Sequence, residues 1–274
     1  MIVVVGSGTM GSGIATSFLA AGQNVRLIDL DDGLLASARQ RIETSLRRLA
    51  KRDLGLDVES ALDRLSGATT HEHSDSALVI EAVPEDMALK QAVLRAAEPL
   101  CSSDTLIATN TSSLSPTEIA AVLQRPDRFL GMHFFNPVPV SNLVELVAAG
   151  STTEAAIEKA KDWVQLLDKT PIVVKDRPGF ASSRLGLALG LEAIRMVEEG
   201  VARVEDIDTA MRLGYKHPIG PLELTDLVGL DVRLAIAEHL EAELGPRFRP
   251  PELLRQMVER GELGKKTGEG FYEW

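Results

Sequence analysis

The most restrictive feature of this chain is a glycine run near its start. Gly6-Ser7-Gly8-Thr9-Met10-Gly11 follows directly on Ile2-Val3-Val4-Val5 and leads into a helical pattern over residues 14–21. Three glycines at fixed offsets say little alone, but a strand before them and a helix after them give each a task. Gly6 permits a tight turn, Gly8 lets a pyrophosphate approach the backbone, and Gly11 lets helix pack on strand. The helix start then offers unbonded N–H groups and the positive end of its dipole to phosphate. Gly6, Gly8, Thr9, Met10 and Gly11 are therefore the candidate cofactor-binding residues of the turn. The next apolar run ends at Asp29. A carboxylate there accepts hydrogen bonds from an adenine-ribose diol and repels a 2′-phosphate, so the expected cofactor is NAD rather than NADP. Asp31 and Asp32 read as helix-start residues.

Short apolar runs at residues 2–5, 25–29, 78–82, 106–109, 130–134, 143–147 and 172–174 alternate with helical patterns. Most are apolar on both faces, as strands covered by helices must be. Two helix starts are explicit: Ser115-Pro116-Thr117-Glu118, and Ser151-Thr152-Thr153-Glu154 before a helix to about residue 168. The alternation predicts a Rossmann-type, doubly wound, mostly parallel α/β sheet. The pattern changes at Asp176-Arg177-Pro178-Gly179, beyond which only helical stripes remain, at about 182–199, 204–213, 231–244 and 252–260. The expected organisation is an NAD-binding domain over 1–178 and an all-α domain over 179–274.

Forty acidic residues against 29 basic ones leave a net charge of −11, which argues against a general nucleic-acid surface. The single cysteine, Cys101, excludes an intramolecular disulfide and a cysteine-cluster zinc site. His71 and His73 share a polar loop with no third ligand in view, and no metal is expected. No apolar run approaches the ~20 residues that span a bilayer, and no sorting signal is legible. A cytoplasmic protein without membrane or nucleic-acid partners is the expectation. Arg47, Arg48, Lys51 and Arg52 cluster within a charged helical stretch over 39–64. Such a cluster is either a solvated helix face or a local grip for a phosphorylated ligand.

A second constellation is Gly131-Met132-His133-Phe134-Phe135-Asn136-Pro137, with Glu145 on the next strand-like run. His133 falls at the C-terminal end of a predicted strand, where open α/β sheets hold their ligands. Oxidation of an alcohol by NAD requires a base for the hydroxyl proton, and imidazole titrates near working pH. Glu145 can stabilise the imidazolium through the other ring nitrogen. A histidine between phenylalanines also reads as a core residue; the paired glutamate and the nucleotide turn favour the base. Asn110-Thr111-Ser112-Ser113 closes another strand, where small polar residues serve either as ligands or as ordinary caps.

Together these segments resemble the short L-3-hydroxyacyl-CoA dehydrogenases, above all the bacterial 3-hydroxybutyryl-CoA type. The resemblance runs through GSGTMGSGIA at 6–15, EAVPED at 81–86, NTSSLS at 110–115, GMHFFNPVPV at 131–140, LVELV at 143–147, DRPGF at 176–180, PIGPLELTDLVGLD at 218–231 and GKKTGEGFY at 264–272. It implies reversible oxidation of an (S)-3-hydroxyacyl-CoA to the 3-ketoacyl-CoA, with His133 as base and Glu145 as its partner. It places Ser112 on the substrate's 3-oxygen, and Glu85, Lys90 and Asn110 on the nicotinamide-ribose side. Ser45 and Arg52 fall where the CoA is held, in a region shortened after Leu54. Ser183 stands where the family commonly has asparagine before an arginine; serine keeps a donor and an acceptor but reaches less far. The resemblance also implies that the helical domain completes the substrate cleft and joins two subunits as a homodimer. Two rival functions share the fold: oxidation of a free 3-hydroxy acid or carnitine-like alcohol, and non-catalytic NAD binding by a structural protein.

Overall fold

A computed structural model describes residues 1–52, 54–72 and 75–274; His73 lies outside the described residues. The chain divides into two compact units, Met1–Arg177 and Pro178–Trp274.

The first unit opens with strand β1 (Ile2–Val5), helix α1 (Thr9–Ala20), strand β2 (Val25–Ile28), helix α2 (Asp32–Ala50), helix α3 (Val58–Asp63) and strand β3 (Leu65–Ala68). It continues with β4 (Leu78–Glu81), α4 (Met87–Ala97), β5 (Leu106–Thr109), α5 (Pro116–Ala120), β6 (Phe129–Phe134), β7 (Leu143–Ala148), α6 (Glu154–Leu166) and β8 (Thr170–Lys175). The strands form one eight-stranded sheet in the order β3-β2-β1-β4-β5-β6-β7-β8. All neighbours are parallel except β6 and β7. The loop 135–142 between those two is too short for the crossover that a parallel return needs. β1, β4 and β5 are buried along their whole length, which explains their unbroken apolar sequence. The order reverses between β1 and β4, so a crevice opens beyond their carboxyl ends, beside the glycine turn.

Several local details differ from the sequence expectation. β3 was not expected: Leu65-Ser66-Gly67-Ala68 has no apolar run, because it is an edge strand that is partly exposed. The charged stretch resolves into α2 and α3. Asp31, as expected of a helix-start residue, caps α2 by accepting from the Leu34 N–H at 2.9 Å. Thr153, rather than Ser151, caps α6 through the Ala156 N–H.

The second unit holds α7 (Ser182–Glu198), α8 (Val204–Thr209), α9 (Pro221–Val228), α10 (Leu230–Leu244) and α11 (Glu252–Glu259). Its core gathers Leu187, Leu191, Ile194, Leu222, Leu230, Leu240 and Leu254. α9 was not expected, although Gly220-Pro221 is a legible helix start. Two buried aspartates hold this unit together. Asp208 accepts from the N–H groups of Leu222 and Glu223 and from the Tyr272 hydroxyl, all at 2.9 Å. Asp226 accepts from the Phe271 and Tyr272 N–H groups and from the indole Nε1 of Trp274, also at 2.9 Å.

Replacing Asp226 with alanine leaves three donors without their charged acceptor. An unsatisfied buried donor costs about 1–3 kcal/mol, so Asp226→Ala is expected to lower the stability of the second unit by about 3 kcal/mol or more. Urea unfolding followed by circular dichroism measures this, and a loss below about 1 kcal/mol contradicts the anchoring role.

Candidate active site

The site is built from strand ends. At the first, Gly6 has φ +97°, and a Cβ there would lie 2.7 Å from the Ala82 carbonyl at the end of β4. A Cβ on Gly11 would lie 1.8 Å from the Gly6 carbonyl oxygen, so no other residue fits. Gly8, which starts α1, has open space where its Cβ would be. Two glycines therefore make the turn tight, and the third keeps its outer wall bare. That is the fit that a dinucleotide pyrophosphate requires. A further glycine was missed in the sequence: Gly13 lies against Val138, so the loop after His133 packs on the glycine-turn helix.

Asp29 lies just past β2. Its Oδ2 accepts from the Ser7 N–H at 2.7 Å and the Ser7 hydroxyl at 2.5 Å, and its Oδ1 from the Leu30 N–H at 2.7 Å. Burial pushes this carboxyl up, but the Ser7 hydroxyl and the two amides outweigh it and hold it below the usual range. Sequence reasoning also missed Arg41, which donates from Nη2 to the Ser7 carbonyl at 2.8 Å and from Nε to Ser12 Oγ at 3.3 Å. It ties α2 to the glycine turn and was hidden within the basic stretch.

Beyond β4 and β5 lies a buried charge network. Glu81 and Lys90 are almost wholly buried. Lys90 Nζ donates to Glu81 Oε1 at 2.9 Å and lies 3.2 Å from Glu85 Oε2. Glu81 also accepts from Thr109 Oγ1 at 2.6 Å. Glu85 Oε1 gathers the Thr111 hydroxyl at 2.6 Å and the Ser112 and Ser113 N–H groups at 2.9 Å. Burial raises the Glu85 carboxyl, yet the Thr111 hydroxyl, Lys90 and the two amides bring it below its ordinary value. Glu85 thereby fixes the turn that leaves Ser112 exposed. Asn110 is buried and accepts from the Phe134 N–H at 3.0 Å, joining the ends of β5 and β6.

His133 and Glu145 face each other across the antiparallel pair, in direct register. The imidazole Nδ1 lies 2.9 Å from Glu145 Oε2; Glu145 is fully buried and His133 is 5% exposed. The His133 ring packs on Phe135 with centroids 4.5 Å apart. A buried carboxylate on Nδ1 favours the tautomer protonated there, which makes Nε2 the basic nitrogen and stabilises the imidazolium once formed. The structure thus brings together His133 with Glu145, Glu85 with Lys90 and the 110–113 turn, and Asp29 with the glycine turn.

The remaining candidate residues fall on other elements. Ser45 lines an open polar groove along α2 with Ser37, Gln40, Arg41, Thr44 and Arg48. Arg52 is exposed past the end of α2. Arg47 is turned to Glu43 and Glu59, at 2.8 and 3.0 Å, and is no free grip for phosphate. Ser183 lies in the first turn of α7, in the second unit. His71 is half-buried, and burial depresses its pKa. Cys101 is half-buried, with its thiol pushed up by burial. Among the described residues, no helix is long and apolar enough to cross a membrane.

A doubly wound sheet with a dinucleotide turn at its switch point and a carboxylate-backed histidine at a strand end defines an NAD-dependent oxidoreductase. Residues 1–177 match the family model described as 3-hydroxyacyl-CoA dehydrogenase, NAD binding domain, and residues 179–274 match its C-terminal domain. The chain belongs to the 3-hydroxyacyl-CoA dehydrogenase family. It is 43% identical to a probable 3-hydroxybutyryl-CoA dehydrogenase of Bacillus subtilis, over 100% of this chain and 96% of that one. It is 40% identical to the 3-hydroxybutyryl-CoA dehydrogenase of Clostridioides difficile, over 100% and 99%. The crystal structure of (S)-3-hydroxybutyryl-CoA dehydrogenase from Ralstonia eutropha superposes with a TM-score of 0.94 at 42% identity, covering 100% of this chain and 98% of that one.

The depressed Glu85 carboxyl carries a pH signature. A group whose pKa is lower in the folded state stabilises the fold above its unfolded value and loses that contribution as pH falls through the folded value. Glu85→Gln is therefore expected to lower the melting temperature at pH 7, with the deficit shrinking as pH falls below the ordinary 4.5. A deficit that stays constant to the acid limit of folding contradicts the charge role of Glu85.

Proposed function

We propose that this enzyme interconverts short-chain (S)-3-hydroxyacyl-CoA, with 3-hydroxybutyryl-CoA as the reference substrate, and the corresponding 3-ketoacyl-CoA. The observation that carries this reading is the buried His133–Glu145 pair, at 2.9 Å, in a family that binds NAD. NAD, when bound, supplies the hydride acceptor. Gly6, Gly8, Thr9, Met10 and Gly11 cradle its pyrophosphate, and Asp29 takes the adenine ribose. Glu85, Lys90 and Asn110 support the nicotinamide-ribose side.

In this reading His133 Nε2 takes the proton of the 3-hydroxyl as hydride leaves C3. Glu145, excluded from water, stabilises the resulting imidazolium through Nδ1. In the reducing direction the same nitrogen returns the proton. Ser112, with its backbone held by Glu85 and its side chain exposed, hydrogen-bonds the 3-oxygen; Ser183 assists there. Ser45, and Arg52 beyond it, serve the CoA. The polar groove containing Ser45, Arg41 and Arg48 supports a phosphate-bearing ligand over a neutral one.

A homodimer formed through the helical unit is part of the same proposal. Exposed Leu185 and Leu189 on α7, with Val232 on α10, give that unit an apolar surface of the kind that subunits bury. Cytoplasmic residence also belongs to this reading, and cell fractionation checks it.

The decisive test is NADH formation followed at 340 nm (the nicotinamide band) with (S)-3-hydroxybutyryl-CoA against free 3-hydroxybutyrate. The thioester is expected to win, and a preference for the free acid overturns the substrate class. His133→Ala is expected to lower kcat by at least ~100-fold, the low end for a positioned general base, with NAD affinity retained. Near-normal turnover in that variant removes His133 from the chemistry. Asp29→Ala is expected to erode the preference for NAD over NADP. An unchanged cofactor ratio removes Asp29 from the ribose.

A further inference from the structure

Arg41 on α2 faces two ways. On its inner side, Nη2 donates to the Ser7 carbonyl at 2.8 Å and Nε to Ser12 Oγ at 3.3 Å. Ser12 Oγ donates to the same carbonyl at 2.7 Å. Ser7 in turn holds Asp29 Oδ2 through its N–H and its hydroxyl. A continuous hydrogen-bonded chain therefore runs from Arg41 through Ser7 to the carboxylate assigned above to the adenine ribose. Ser7 and Ser12 are buried, which shields the inner links of that chain from competing water.

On its outer side, Arg41 lines the groove along α2 with Ser45 and Arg48. The three positions recur at helical spacing and share one face. A guanidinium carries five N–H donors, and Arg41 turns two of them inward. Among the described residues, neither its other three donors nor those of Arg48 meet an acceptor. Neighbouring Arg47 shows the contrast, being taken up by Glu43 and Glu59. On a chain of net charge −11, two such guanidinium groups on one face form a local site for an anion.

The guanidinium is planar and rigid, so its inner and outer edges cannot move independently. A phosphate held at the outer edge fixes the inner edge, and with it Ser7 and Asp29. A ribose held by Asp29 fixes the outer edge in the same way. Ordering a long side chain costs entropy, and the ligand that binds second finds that ordering already done.

We propose that Arg41 couples the two ligands of the reaction: phosphate of CoA in the α2 groove tightens the hold on NAD at Asp29, and NAD tightens the hold on CoA. The inference rests on the reading above that places CoA in this groove. Every residue in the chain of contacts belongs to the first unit. The coupling favours the enzyme carrying both ligands over the half-filled forms.

The probe is adenosine 3′,5′-bisphosphate, which reproduces the 3′-phosphoadenosine end of CoA and lacks its acyl-bearing arm. Isothermal titration calorimetry measures the Kd of NAD on the whole protein with and without saturating bisphosphate. The wild-type protein is expected to bind NAD ~5-fold more tightly or better in its presence, the lower end of ordinary coupling between sites. NAD is expected to tighten the bisphosphate by the same factor, because such coupling is reciprocal. Arg41→Lys keeps a cation for the phosphate but lacks the fork that bonds Ser7 and phosphate together, so its factor is expected to fall to about one. A factor near one in the wild-type protein overturns the proposal, and so does weaker NAD binding, the sign of competition for the adenine-ribose position. The full wild-type factor in Arg41→Lys also overturns it, as does loss of bisphosphate binding there, which leaves the guanidinium a phosphate ligand alone. The measurement needs no turnover, which separates the levels of inference. If the bisphosphate binds the wild-type protein without coupling, only the role of Arg41 fails; if neither it nor free CoA binds, the placement of CoA in the groove fails as well.

Discussion

The antiparallel pairing of β6 with β7 is the constraint on which the candidate chemistry depends. Side chains alternate across a strand, so pairing by even one residue out of step would put Glu145 on the opposite face from His133. The observed register sets the two directly opposite each other. The same reversal of direction turns the chain back within residues 135–142, and Lys169 holds that return by donating to the Val138 and Ser141 carbonyls at 2.8 and 2.6 Å. Val138 in turn lies against Gly13 of α1. Base, return loop and nucleotide turn are therefore parts of one packed assembly within the first unit.

Beside that assembly the buried charges at the ends of β4 and β5 support one another. Lys90 is nearly inaccessible but sits between Glu81 and Glu85, and Glu81 is further bonded to Thr109. Removing one member of such a network exposes the full desolvation cost of the others, which makes it rigid rather than merely stabilising. That rigidity lets Glu85 set the 110–113 turn, and with it the position of Ser112.

Much of this was legible in the sequence because the signals are local. The glycine turn, the apolar strands and the Asp31 cap each depend on a few neighbouring residues. His133 and Glu145 were legible as a pair because a short antiparallel return makes neighbours in sequence into neighbours in space. What was missed depends on distant contacts. β3 has no apolar alternation because it is an edge strand, and only its pairing with β2 defines it. Arg41 looked like one basic residue among several; its bonds to Ser7 and Ser12 cross from α2 to another element. Glu81 ends an apolar strand and gave no sign of its lysine partner nine residues on.

The two tryptophans of the chain fall one in each unit. Trp163 on α6 meets Phe18 edge-on at 6.0 Å, and Trp274 donates to Asp226 with Lys265 Nζ 4.8 Å from its ring. Their surroundings are unlike, one an aromatic edge and the other a cation beside a carboxylate, so their emission differs in wavelength and quenching. A chain that keeps only one indole becomes an optical gauge of a single half. Whether the two halves melt together or in succession can then be read from fluorescence, without any added dye.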